Sequence, residues 1–193
     1  MALHFGEEVP FSVLTRDPAA VADLRPYIGF MSQFGLFFWS AATTTCLLVA
    51  RVLAKSESPD RPKIFFFLWS GGFTLLLGVD DAFMLHESVL PHIGIPELVV
   101  YGGYIGLFAC YLYLFYKRIL ETDFILLLLA FAFFGLSVGL DIIELTSIDP
   151  YLLEDSAKLA GITCWMIYFI KLSVITLWST RQEPEGLALS EPQ

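Results

Sequence analysis

The chain has 193 residues, 56% of them hydrophobic, with a mean hydropathy of +0.69 and a formal net charge of −9. A water-soluble domain of this length does not carry that composition, whereas a polytopic membrane protein does. The acidic balance argues against nucleic acid as a partner, and no glycine-rich phosphate loop, strand pattern or low-complexity stretch appears.

Taken in chain order, residues 1–26 read as an extracytoplasmic tail. Asp17 before Pro18 is a helix-start signal, and the Ala-rich stretch closed by Pro26 predicts a short helix lying on the membrane. The basic start and apolar core of a cleavable signal peptide are missing, so the first span is expected to insert unaided. Five apolar segments follow at about 27–54, 64–87, 97–116, 124–146 and 151–179, joined by short polar connectors. The fold class they predict is all-α, an antiparallel bundle of five transmembrane helices over 27–180. Residues 181–193 read as a disordered cytoplasmic tail.

Basic residues set the orientation. Arg51, Lys55, Arg61 and Lys63 flank the first connector, Lys117 and Arg118 the third, and Lys171 and Arg181 mark the end of the last span. By the positive-inside rule these ends are cytoplasmic, which puts the N-terminus outside and the C-terminus inside, in a bacterial inner membrane or its equivalent. The opposite side holds only Arg16, Arg25 and Lys158 as cations, against thirteen of the twenty acidic residues.

Those acids are the informative feature. Asp80 and Asp81 close the apolar run Ile64 to Val79, and His86 and Glu87 follow them. At 1.5 Å per residue the run crosses roughly 24 Å of a core about 30 Å thick, so two carboxylates arrive about a turn short of the surface. The segment from Phe124 to Leu140 ends the same way, in Asp141 and Glu144, and the last segment opens with Glu154, Asp155 and Lys158. The topology gathers all of them in one leaflet. Glu97, Glu154 and Asp155 lie at helix N-termini, which welcome negative charge, and Glu97 is read as no more than that. Asp80, Asp81, Glu87, Asp141 and Glu144 lie at C-terminal ends, where the helix dipole opposes them and lipid is near. On a continuous helix, Asp80 and Glu87 share a face, with Asp81 and His86 to either side. Glu154 and Lys158 form a favourable i,i+4 pair.

Carboxylates with a single histidine are hard-donor chemistry, which favours Ca, Mn or Fe over Zn. The leading expectation is therefore a divalent-metal site in an integral membrane protein. Its ligands would be Asp80, Asp81, His86, Glu87, Asp141, Glu144, Glu154 and Asp155, with Lys158 balancing charge. Membrane lipid is the expected surrounding, and a lipid-soluble substrate the expected one if the site is catalytic; the residues leave enzyme activity open. Two other readings use the same acids: a proton or cation channel or transporter, and an accessory subunit of a larger membrane complex. A structural salt-bridge network around Lys158 would need no function at all. Cys46, Cys110 and Cys164 are read as packing residues, and His92 as a surface residue of a connector. Gly102-x-x-x-Gly106 and Gly135-x-x-x-Gly139 predict close helix packing inside the bundle, or oligomerisation across the same faces.

Overall fold

The computed structural model describes residues 10–25, 27–142 and 150–188. Among these residues the regular structure is helical, with no strand. The N-terminal helices are short: α1, Phe11–Thr15, and α2, Pro18–Val21. Asp17 caps α2 as the sequence predicts, its carboxylate accepting from the amides of Ala19 at 2.8 Å and Ala20 at 3.2 Å. The long helices are α3 (Phe30–Ala54) and α4 (Arg61–Phe83), and beyond a connector α6 (Glu97–Leu120), α7 (Ile125–Ile142) and α8 (Pro150–Ala188). The connector holds a π-helical turn, Leu85–Val89, and α5, Leu90–His92. Helix α8 continues to Ala188, into the stretch expected to be a tail.

Among the described residues, four helices are long and apolar enough to cross a membrane: Phe30–Ala54, Arg61–Phe83, Leu98–Leu120 and Leu152–Arg181. Of the five expected spans, these four meet that length among the described residues, and the fifth is represented by a shorter apolar helix. In the described part of α7 the apolar stretch is Ile125–Leu140. At 1.5 Å per residue that stretch is about 24 Å long, short of a core about 30 Å thick. The four long apolar helices suggest an integral membrane protein.

The bundle is built as a chain of packed pairs, α4 on α3, α3 on α8 and α8 on α7. In lipid, burying apolar surface gives helices little reason to associate, so close van der Waals fit has to do it. Glycines supply that fit, but not the predicted ones. A Cβ on Gly71 would stand 2.8 Å from the Leu47 side chain, and one on Gly78 would stand 3.0 Å from that of Trp39. On the other flank a Cβ on Gly161 would meet the Phe134 ring at 2.7 Å. By contrast, Gly102, Gly106, Gly135 and Gly139 would each find nothing within 4 Å. The expected packing of these two motifs inside the bundle is corrected accordingly: open space, not a neighbouring helix, lies where each of their Cβ atoms would stand.

Trp165 is the hub of the core, 1% exposed, with the rings of Trp39, Phe73, Phe131 and Phe169 between 5.1 and 6.3 Å from its own. Its indole N–H donates to Thr74 Oγ1 at 3.0 Å. Ser70 and Tyr111 hydroxyls pair at 2.9 Å, so these buried polar groups are satisfied within the bundle. Helix α6 joins through rings: Tyr111 stacks on Phe73 at 5.8 Å and Phe115 meets Phe66 edge-on at 5.1 Å. Its backbone does not approach α4 closely. At the basic end Asp60 caps α4 through the Lys63 amide at 2.9 Å and pairs with Arg118 of α6 at 3.7 Å. Lys171 of α8 pairs with Asp123 before α7. Of the cysteines, Cys46 is buried, Cys164 half-buried and Cys110 exposed on the outer face of α6.

Candidate functional site

The site is made by the way α4 stops. Apolar periodicity carries the helix to Phe83, and Met84 then adopts a left-handed conformation, φ 48° and ψ 47°, its amide closing on the Asp80 carbonyl. Only glycine takes that conformation without strain, so a methionine there is held by its surroundings. The chain continues into the π-helical turn, a geometry that recurs at functional positions. The effect is to fold residue 86 back over residue 80. The His86 amide donates to Asp80 Oδ1 at 3.0 Å, and His86 Nδ1 bonds the other carboxylate oxygen, Oδ2. The continuous helix expected to residue 87, with His86 turned away from Asp80, is corrected by this break.

Asp80 is buried, 5% exposed, and takes a third bond from the Tyr104 hydroxyl of α6 at 2.7 Å. Three donors hold the carboxylate, two on Oδ1 and one on Oδ2, and it in turn fixes the imidazole plane. His86 Nε2 points the other way, to Glu87 Oε1 at 3.2 Å. The Tyr101 ring packs on the imidazole with centroids 5.4 Å apart. Hydrogen bonds to Asp80 and then to Glu87 outweigh burial and raise the His86 pKa to about 9. The same bond to His86 holds the Glu87 carboxyl below its ordinary range. At neutral pH His86 is an imidazolium between two carboxylates.

Beside this group lies a cleft of about 170 Å³. Its walls come from four places: Met31, Ser32 and Gly35 of α3; Asp80 and Asp81 of α4; Met84, His86 and Glu87 beyond it; and Asp155, Lys158, Leu159 and Ile162 of α8. Lys158 crosses from α8 to Asp81 at 2.5 Å. The two cations are thus each committed to a carboxylate from α4.

Of the residues expected from the sequence, Asp80, Asp81, His86, Glu87, Asp155 and Lys158 come together in this cleft. Glu154 stands on α8 one position before Asp155 but does not line the cleft. The side chain of Asp141 and the whole of Glu144 lie outside the described residues. His92 is exposed in α5. Among the described residues, no group of three or more His, Cys, Asp or Glu is arranged to hold a metal ion. Sequence reasoning missed Tyr104, Tyr101 and the whole α3 wall. Tyr101 and Tyr104, three apart at the start of α6 in the acidic leaflet, were a readable signal; Ser32 and Gly35 carried none.

No curated protein and no solved structure matches the chain. Residues 1–172 match the model of the family described as a domain of unknown function, DUF8692, and the chain belongs to that family.

Proposed function

We propose that this membrane protein is an enzyme for a lipid-soluble substrate, with proton transfer at His86 as its chemistry. The observation that supports this is the run Tyr104–Asp80–His86–Glu87. A carboxylate on Nδ1 orients the ring and leaves Nε2 as the working atom, from which the imidazolium would give its proton as a general acid. The Glu87 carboxylate, half exposed, would exchange that proton with water at the cleft mouth. The apolar wall of Leu159, Ile162 and Met31 suits a substrate arriving from lipid, and Lys158 with Asp81 would meet its polar end. Orientation with the cleft on the non-cytoplasmic face, from the placement of basic residues, belongs to the same reading.

Divalent metal is the second reading, and one observation favours it. A metal-ligating histidine is also held through its other nitrogen by a carboxylate, as Asp80 holds Nδ1. Nε2 and Glu87 would then be ligands in place of sharing a proton, with Ca, Mn or Fe as candidates and Asp155 nearby.

Purified protein in vesicles, assayed on fluorogenic lipid acyl, phosphate and amide esters alongside elemental analysis, tests both. Turnover of one bond class, lost in His86→Asn and Asp80→Asn without stoichiometric metal, is expected. Stoichiometric metal that disappears in both variants would select the second reading. Neither turnover nor metal would overturn both.

A further inference from the structure

The connector after α4 has the construction of a hinged cover. It begins at Met84, φ 48°, and ends at Gly94, φ 95°, so left-handed backbone bounds it on both sides. Between these points it is bonded to itself: Ser88 and Val89 amides donate to the Met84 carbonyl, Ile93 to Val89, and Ile95 to Leu90, at 2.9 to 3.3 Å. None of its residues from 84 to 96 is fully buried. Small contact with the body and internal bonding are the marks of a unit that opens at low cost.

His86 ties it to the helices beneath, while Leu85, Val89 and Leu90 are half-buried. His86 gives Asp80 both its amide and its ring nitrogen, and takes ring packing from Tyr101 and Tyr104. The same segment supplies Met84, His86 and Glu87 to the cleft, so its position decides whether the cleft is closed on that side. Its exposed surface has an apolar part, with Met84 53% exposed, Ile93 61% and Leu98 just beyond it 82%, beside the exposed polar residues Glu87, Ser88 and His92. An apolar surface at the end of a membrane-crossing helix is solvated by lipid, not by water.

We propose that residues 84–94 are a lid latched by His86 onto Asp80, which swings as a unit on Met84 and Gly94 and admits a lipid-phase ligand sideways into the cleft. This rests on the reading of the cleft as a site for a lipid-soluble substrate. It deepens that reading by naming the entrance.

Nitroxide labels at Ser88, on the lid, and Ser32, on the opposite wall of the cleft, report the motion by pulsed electron–electron distance measurement in lipid vesicles. The label pair is made in full-length protein without its native cysteines. Two variants loosen the latch, His86→Ala at its centre and Tyr101→Ala at its packing. Either is expected to raise the fraction of a longer Ser88–Ser32 distance at least threefold. Amide exchange should show the Ser88, Val89 and Ile93 amides still protected in that state, as a rigid lid requires. An unchanged distance distribution in both variants would overturn the proposal. So would loss of protection throughout 84–95, which is local unfolding, or failure of both variants to fold, which would make the segment structural. Since the distance is read without turnover, failure of the lid and failure of the enzymatic reading give different results.

Discussion

Raising the pH should weaken this protein through one residue. The His86 pKa stands at about 9 in the folded chain, against 6.5 for a free imidazole. Each pKa unit is about 1.4 kcal/mol, so the folded state gains about 3 kcal/mol from binding that proton. Because the folded pKa is the higher one, the gain is fully present below pH 6.5 and disappears as pH rises through 9. The His86 side chain is only 14% exposed, so solvent screens little of it. For a chain of this size about 3 kcal/mol corresponds to a fall of roughly 6–12 °C in melting temperature between pH 6 and pH 10. Two measurements check this. In a His4→Asn, His92→Asn protein the remaining imidazole can be titrated by NMR, and its midpoint should lie near 9. Thermal unfolding in detergent should show the stated fall in wild type and a flatter profile in His86→Gln, which removes lysine and tyrosine titrations from the comparison. An imidazole titrating near 6.5 would refute the carboxylate bracket on which the site depends.

Other outcomes follow from particular contacts. Gly161→Ala should cost about 1–3 kcal/mol, since its Cβ would press on the Phe134 ring, while Gly102→Ala and Gly106→Ala, with open space around them, should be neutral or slightly stabilising in chemical denaturation. Thr74→Val should cost about 1–3 kcal/mol by leaving the buried Trp165 N–H without its acceptor, a loss visible as a shift in tryptophan fluorescence. Cysteine labelling in a cysteine-free background should modify position 92 from outside and position 57 only from inside; the reverse pattern would place the cleft on the cytoplasmic face.

The sequence made the membrane helices legible because hydropathy and length are local properties. It made the acids of α4 and α8 legible because charge at the end of an apolar run is costly wherever it falls. It could not show that α4 ends at Phe83. Nothing in Phe83-Met84-Leu85 announces a left-handed residue, and methionine is a poor choice for one; it comes with the closure of His86 onto Asp80. The helical phases of His86 and Glu87 were wrong for that single reason. The glycine motifs misled for another: spacing on one helix says nothing about which face has a neighbour, so Gly71, Gly78 and Gly161 pack while the motif glycines do not.

The attachment of α6 by ring faces has a mechanical side. Helices joined at glycines are keyed together and can shift only by breaking contact. Aromatic pairs 5 to 6 Å apart tolerate sliding and tilt with little loss. A bilayer that thickens or thins acts on helix tilt, and α6 is the long helix here whose backbone is not packed closely on a neighbour, being tied to α4 by rings and by the Ser70–Tyr111, Asp80–Tyr104 and Asp60–Arg118 pairs. Tyr104 and Tyr101 ride on it, and they are the residues that bond Asp80 and cover His86. Any tilt of α6 would therefore be felt first at the Tyr104 hydrogen bond that seats the buried Asp80 carboxylate.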